Sequence, residues 1–585
     1  MSTTVDRGDA APEDAERGAP PRAGSRADTA VAVGVPTVLV GLHLLVYGRW
    51  IVDDAGITMA YARSIATGAG PVLQPGAAPS EGWSDPAWLA VLVVGRWLGL
   101  VDHGAWFGVP DLVAFPKVLA VLCSAGIFWA FHRVAVRVAR SPVTVTVLAG
   151  ALTAAAPPYV VWIGSGLENP LLAVVVVVLA ARLVTAALDG RLLEPRVAVT
   201  CGLLAGLAAL TRPDGAVYLL AHPLAVLVTA GSAELRVRRL RAAATSFAAG
   251  AAPVVLYEIW RLAEFGALLP TTARAKQQGV LSTLDLARPA DLVGLAGWLA
   301  CLVVAGAVGV VLSRRSAPAA VVVRVLLVPL GLALLAYAVL AADWMALARF
   351  ATPVWPLLAL VAVVSVAAVL PERRSTGRRV LVGVLVVAAL SSAVSWTTAA
   401  ASFRARPTLP LCEVTRSTAE TIDAGADALG VRSGSVLGVD AGGVALGSRL
   451  RFVDLAGLTD PVIAGYWARG DMAGLRDHLF EQVRPTFMRL WKGWNIPEGS
   501  GLFTDPRLDR DYELIWTNDQ GGRTYVRRDA VPDGDHLADA QLVSQQVMDA
   551  LLVSLNHAGP TSWTCGAAVR PSPYGTAAAT AARGG

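Results

Sequence analysis

PAWLAVLVVGRWLGL, Pro86 to Leu100, is the stretch on which the topology turns. It is apolar, yet its 15 residues make a helix of only about 22 Å against about 30 Å of hydrocarbon. Arg96 lies inside it, and Trp83, Trp88 and Trp97 lie in or beside it, the pattern of a helix resting in the membrane interface. With this segment off the list of spans, about eleven apolar runs remain that are candidates to cross a bilayer. They cover residues 30–50, 113–132, 143–163, 170–188, 197–211, 216–231, 243–263, 291–312, 318–341, 350–370 and 380–400, and several are short. The arginine-rich loops then share one side. They hold Arg133, Arg137 and Arg140; Arg191 and Arg196; Arg236, Arg238, Arg239 and Arg241; Arg314 and Arg315; and Arg373, Arg374, Arg378 and Arg379. By the positive-inside rule that side is cytoplasmic. Counting 86–100 as a span would send all of these loops outside.

Composition agrees with a membrane protein. Of 585 residues, 55% are hydrophobic and 16% charged, where a soluble protein carries about a quarter charged residues. A soluble enzyme is excluded. The net charge of +5 comes with arginines placed in short loops, so nucleic acid is not an expected partner. Cys123, Cys201 and Cys301 fall in apolar runs, and no CxxC or HExxH occurs, so no transition-metal site is expected. A divalent-cation requirement stays open, and no organic cofactor is called for. Cys412 and Cys565 both fall in the polar C-terminal part, where a disulfide between them is open.

The expected fold is an α-helical polytopic membrane protein with a C-terminal extracytoplasmic α/β domain. Residues 1–28 lack periodicity and read as a disordered cytoplasmic tail. Ala30 to Tyr47 reads as a retained signal anchor. Residues 29–400 form the transmembrane domain, with a first outer loop at 51–112 that carries juxtamembrane helices. Residues 401–574 form the outer domain, with strand-like runs at Ser435–Val439, Leu450–Leu455, Thr486–Leu490 and Tyr512–Trp516 and a helical stretch at Met472–Val483. Residues 575–585, mostly Ala and Gly, read as a disordered tail.

The charged residues near span ends on the outer side carry the chemistry. Asp53 and Asp54 follow the first span; two partly desolvated neighbours repel each other, which raises at least one pKa toward the range of a general base. An ordinary solvated span end is the bland alternative. Ile57 to Ala66 has helical periodicity, includes Arg63, and is stopped by Gly68-Ala69-Gly70, so an amphipathic surface helix is expected there. Glu81, Trp83 and Asp85 could meet a sugar, although aromatic residues at this depth also serve as membrane anchors. Glu168 stands before Asn169-Pro170 and could equally start the next helix. Arg212, Arg274, Lys276 and Arg349 are cations on the side opposite the arginine loops, so an anion is a reasonable partner, and Arg212 pairing with Asp214 is the simpler alternative. Asp343, Trp344 and Met345 with Arg349 and Phe350 make a further patch. The glycines near Gly442 lack the context of a phosphate loop. Taken together, these residues describe a site for an anionic, lipid-borne substrate, and a phosphate ester of a long isoprenoid fits.

Seven segments resemble the GT-C superfamily of polyprenyl-phosphate-sugar glycosyltransferases, and within it the terminal arabinofuranosyltransferases of mycobacterial and corynebacterial cell-wall arabinan. They are DDAGITMAYARSIATGAGPVLQPG (53–76), EGWSDPAW (81–88), GLENPL (166–171), LTRPDG (210–215), PTTARAK (270–276), DWMALARF (343–350) and VDLAGLTD (453–460). The resemblance implies a plasma-membrane enzyme with its site on the outer face and a decaprenyl-phosphate-arabinofuranose donor. It also implies an arabinan acceptor in arabinogalactan or lipoarabinomannan. It makes Asp53 the leading base with Asp54 beside it, Arg212 and Lys276 the donor-phosphate contacts, and 401–574 the holder of acceptor glycan. Gly56, Ala60, Ser84 and Thr271 depart from the family pattern, which leaves the sugar open. Direct displacement by a base-activated hydroxyl inverts the anomeric centre, whereas a β-linkage from a β-donor requires retention; the residues do not choose. Alternatives are a polyprenyl-phosphate-hexose transferase of the same superfamily, an adhesion or scaffold protein whose outer domain does the work, or a multi-pass transporter or flippase. The latter calls for ionisable groups within spans and repeated halves; His43 and Arg324 are the few such groups, and no halves repeat.

Overall fold

The computed structural model describes residues 25–229, 236–276, 288–314, 317–340, 343–370, 375–518 and 521–558. The expected tails, Arg315, Arg373, Arg374 and Cys565 with its open pairing to Cys412, lie wholly or largely outside these residues.

In chain order the first part forms α1 (Arg26–Val46), α2 (Asp53–Ala66), α3 (Pro86–Trp97) and a short hairpin, β1 (Ala105–Trp106) with β2 (Val109–Pro110). There follow α4 (Asp111–Val138), α5 (Pro142–Ala155), α6 (Pro157–Ile163), α7 (Asn169–Leu188) and α8 (Pro195–Thr211). A 3-10 stretch (Pro213–Leu220) then runs into α9 (Ala221–Val228), α10 (Arg236–Phe265) and the single turn α11 (Thr271–Ala275). The bundle closes with α12 (Arg288–Ala296), α13 (Trp298–Ser313), α14 (Pro318–Val339), α15 (Val354–Val369) and α16 (Thr376–Ala405).

Among the described residues six helices are long and apolar enough to cross a membrane: α1, α4, α7, α10, α14 and α16. The bent pairs α5–α6 and α12–α13 raise this to eight. The sequence reading of about eleven also took α8, the 3-10 stretch with α9, and α15 as spans, and these are shorter apolar helices. Two of the expected straight spans are broken. Pro157 and Pro158 start a new helix after α5, with a bend of 75°. Gly297, at φ +93°, separates α12 from α13 with a bend of 100°.

Packing follows from small residues and uninterrupted apolar faces. The valine-rich α7 is buried around most of its circumference between α4, α8 and α14, as an all-apolar helix must be to sit inside a bundle. Gly202 and Gly206 on α8 meet the Ser246 and Gly250 carbonyls of α10, so a side chain at either position would collide with backbone. Arg137 between α4 and α5 pairs with Asp189 between α7 and α8 at 2.8 Å, and Arg314 after α13 donates to the Ala368 carbonyl at 3.2 Å. The α4–α5 loop therefore meets the α7–α8 loop, and the end of α13 meets the end of α15.

The helix α2 differs from the amphipathic surface helix expected of it. Most of its residues are buried, because α3 covers one side and the C-terminal unit covers the other. Its Arg63 is bidentate to Asp102 at 2.6 Å and donates to the Leu446 carbonyl at 3.2 Å.

Beyond α16 the chain forms α17 (Leu411–Val414), α18 (Thr421–Ala428), β3 (Ser435–Gly438), α19 (Ala441–Gly447), β4 (Arg451–Asp454) and α20 (Pro461–Arg469). Strands β5 (Phe487–Trp491), β6 (Tyr512–Thr517) and β7 (Gly522–Arg527) complete a sheet of order β4-β3-β5-β7-β6. β3 is parallel to β4 and β5, and β7 is antiparallel to β5 and β6. Alternate residues face opposite ways along a strand. Val436, Phe452, Phe487 and Val526 accordingly join the core continuous with the helical bundle, while Leu437, Val453, Met488 and Tyr525 join a second core on the other face. Backbone pairing ties this unit to the bundle: Asp53 N–H donates to Leu409 O at 2.9 Å and Leu411 N–H to Ile51 O at 3.0 Å.

Candidate functional site

The elements that end opposite the arginine loops bring charged residues from distant parts of the chain together. Asp53 and Asp54 form the first turn of α2, Glu168 precedes α7, Arg212 ends α8, Lys276 ends α11, and Asp343 to Arg349 links α14 to α15. Gly166, at φ +88°, lets the chain turn tightly into α7, and a side chain there would press on Ala55 of α2 at 3.0 Å.

Arg212 is held on two sides. Its Nη1 donates to Glu168 at 2.5 Å and its Nε to Asp214 at 2.8 Å. The Phe350 ring lies against both guanidiniums, 4.5 Å from Arg212 and 4.7 Å from Arg349. Burial opposes the Arg212 charge, but the Asp214 and Glu168 carboxylates outweigh it and raise its pKa. Arg349 is less well matched. Its Nε stands 2.8 Å from Asp343 without the alignment of a hydrogen bond, and its Nη1 is 3.8 Å from Asp54. The preceding Leu347 and Ala348 both hold positive φ, +60° and +50°, an uncommon conformation for side-chain-bearing residues that stores strain beside Arg349. Asn169 fixes the loop by donating to the Arg349 carbonyl at 3.1 Å and to Thr352 at 2.9 Å.

The two aspartates of α2 face different partners. The Asp54 side chain keeps 30% of its surface accessible and faces Arg349 and Lys276. Crowding by protein raises its pKa, and those two cations pull it back. Lys276 retains an accessible surface while protein packs around it; that burial, followed by the Arg349 charge, lowers its pKa. Asp85, buried, accepts from Thr58 at 3.2 Å; burial and then Glu168 push its pKa well up. Asp53 is 3% exposed. Its Oδ1 accepts from Gly443 N–H at 2.7 Å and its Oδ2 from Gly442 N–H at 3.2 Å, both at the start of α19. Burial, then Asp440 and Asp54, raise its pKa against these two bonds. Asp440 in turn accepts from Trp491 Nε1 at 3.1 Å.

Other sequence candidates lie elsewhere. Glu81 is paired with Arg261 of α10, at 2.5 Å to Nε, and accepts from Tyr257 at 2.7 Å. Trp83 is buried edge-on to Tyr61 and Phe265 and donates to Tyr257, so it offers no open face to a sugar. Arg63 serves the Asp102 contact, Arg274 points toward Gly465 of α20, and Trp344 is exposed. Sequence reading missed Arg261 and Asp440, and it weighed the glycines near Gly442 only as a phosphate loop. An arginine three residues after Glu258 in an apolar run was a usable signal for the first. Among the described residues no group of three or more His, Cys, Asp or Glu side chains is placed to hold a metal ion.

No protein-family model and no curated protein matches the chain. Its fold is similar to solved structures of an archaeal oligosaccharyltransferase. The AglB enzyme from Archaeoglobus fulgidus in complex with an inhibitory peptide and a dolichol-phosphate is 11% identical, with 90% of this chain and 79% of that one covered at a TM-score of 0.48. The apo form of the oligosaccharyltransferase from the same organism gives 12% identity, the same coverages and the same TM-score. The form tethered to an acceptor peptide containing the NVT sequon gives 12% identity over 86% of this chain and 75% of that one, at 0.48. At these values the likeness assigns neither family nor activity to this chain.

Proposed function

We propose that the chain is a multi-pass plasma-membrane glycosyltransferase of GT-C type. It transfers D-arabinofuranose from decaprenyl phosphate to a hydroxyl of an extracytoplasmic cell-wall arabinan, with its N-terminus cytoplasmic and its site and α/β unit outside. The observation that carries this reading is the meeting of an accessible carboxylate, Asp54, with Arg349 and Lys276 from remote segments. A carboxylate of the Asp53–Asp54 pair takes the acceptor proton, and the acceptor oxygen attacks the anomeric carbon as its bond to the donor phosphate breaks. Arg349 and Lys276 face the charge that develops on the departing polyprenyl phosphate. Arg212, already engaged by Glu168 and Asp214, ties their two segments together beside Arg349. The sugar identity rests on the sequence resemblance alone.

The test is incubation of the purified protein with polyprenyl-phosphate-pentose and polyprenyl-phosphate-hexose donors and an arabinan acceptor, followed by linkage analysis. Pentose incorporation is expected. Hexose incorporation alone would replace the sugar, and consumption of neither donor would overturn the reading.

A further inference from the structure

We propose that the C-terminal α/β unit is a working part of the catalytic centre: its Asp440–Gly443 turn holds Asp53 as a positioning carboxylate, leaving Asp54 to take the acceptor proton. This inference rests on the glycosyltransferase reading above and divides the roles of the aspartate pair within it.

The contact is built for closeness. Asp53 is buried and both its carboxyl oxygens are engaged by backbone N–H groups of Gly442 and Gly443. A Cβ at Gly442 would overlap the Asp53 carbonyl oxygen, and one at Gly56, a turn along α2, would come within 2.8 Å of Gly442 Cα. A Cβ at Gly443 would lie 2.7 Å from Thr415 N. Gly56 and Gly442 therefore let α2 and α19 cross at backbone contact, while Gly443 lets α19 lie against the Leu411–Thr415 backbone, and backbone cannot yield as a flexible side chain can. The adjacent Val52–Pro410 bridge fixes the same turn of α2 from the other side.

The consequence for chemistry is geometric. Asp53, with both oxygens held and almost no accessible surface, has no open face for an acceptor hydroxyl, whereas its neighbour Asp54 keeps 30% of its side chain accessible beside Arg349. In the transfer step the acceptor O–H proton passes to Asp54 and the oxygen forms its bond to the anomeric carbon. The electron pair of the broken bond leaves with the polyprenyl phosphate. Asp53 takes no part in that exchange of bonds; it sets the direction of Asp54.

Full-length protein is assayed as wild type, Asp53→Asn, Asp53→Ala, Asp54→Asn, Asp54→Ala and Gly442→Ala, with transfer rate and donor KM measured separately. Peptide-level hydrogen exchange over Ala441–Val444 reads the clamp directly. The expected result is that both Asp54 variants lose the rate by about 10²–10⁴-fold at similar donor KM, because neither Asn nor Ala can accept the proton. Asp53→Asn, whose amide oxygen still accepts from Gly443, transfers faster than Asp53→Ala; Gly442→Ala and Asp53→Ala lose on the order of 10²-fold through misplacement of Asp54. The 441–444 amides exchange faster in Asp53→Ala than in wild type or Asp54→Asn. Equal inactivity of Asp53→Asn and Asp53→Ala beside an active Asp54→Asn would overturn the proposal, as would unchanged exchange in Asp53→Ala. Absence of transfer by the wild type from any donor would instead defeat the glycosyltransferase reading, with the exchange result still deciding the clamp.

Discussion

Replacing Arg212 by methionine tests the electrostatic construction of the site. The side chain is nearly inaccessible and carries two carboxylate contacts, 2.5 Å to Glu168 and 2.8 Å to Asp214, besides its stacking on Phe350. Methionine fills much of the same volume, so the dominant loss is the counter-charge for two buried acids. Breaking a buried ion pair by removing one partner costs about 3–5 kcal/mol, because the remaining charge stays desolvated. For a chain of this length, with an unfolding entropy of about 2 cal/mol/K per residue, that corresponds to a drop in Tm of about 2–4 °C. The triple variant Arg212→Met, Glu168→Gln, Asp214→Asn removes the stranded charges, and replacing a whole buried ionic group is often near neutral. Thermal unfolding in one detergent, followed by tryptophan fluorescence, should therefore show Arg212→Met below wild type and the triple variant recovering most of the difference. Equal Tm for Arg212→Met and wild type would refute the reasoning, since it would mean that these pairs are solvated and contribute almost nothing.

Three further outcomes follow from named contacts. Burial, and then Asp440, raise the Glu413 pKa from 4.5 to about 7. The folded protein therefore binds a proton there that the unfolded chain releases near pH 4.5, and this contribution is lost as pH rises from about 4.5 to 7, at most about 3 kcal/mol; a Tm–pH series should fall less steeply over that window in Glu413→Gln. Glu81→Gln should lower Tm by about 1–2 °C while leaving donor KM within about two-fold in a transfer assay, since Glu81 serves Arg261 and Tyr257 rather than the Asp54–Arg349 pair. Gly202→Val should destabilise by about 2 kcal/mol or more, read as early aggregation in size-exclusion after heating, because its Cβ would meet the Ser246 carbonyl of α10.

How far the residues themselves led is clearest element by element. The interfacial reading of Pro86 to Leu100 rested on length and an internal arginine, and the structure has a twelve-residue helix there whose Arg96 donates to the Asp102 carbonyl at 3.0 Å. Four strands lie within a residue of the apolar runs that signalled them. β7 was missed because Arg523 and Arg527 interrupt the apolar pattern, although Thr524, Tyr525 and Val526 are buried in the middle of the sheet. The breaks at Pro157 and Gly297 carried local signals, but the 75° and 100° bends are properties of packing. At the site, the carboxylates and cations could be enumerated from their places at span ends. Which of them come together could not, because that depends on how five loops assemble. Glu81 and Trp83 are adjacent in sequence to Asp85 yet face Tyr257 and Arg261, while Asp85 faces Thr58. The different surroundings of Asp53 and Asp54 were equally illegible, since the amides that hold Asp53 come from Gly442 and Gly443 in a separate unit of the chain.

The central claim is that an outward carboxylate and neighbouring cations act together on a lipid-phosphate sugar. A single-turnover experiment tests it most directly: purified protein, decaprenyl-phosphate-arabinofuranose and an arabinan acceptor, with free decaprenyl phosphate and extended acceptor quantified for wild type and Asp54→Asn. The account predicts equal amounts of both products from wild type and neither from Asp54→Asn, which should still bind donor. Intact donor with wild type, or turnover by Asp54→Asn at the wild-type rate, would contradict it.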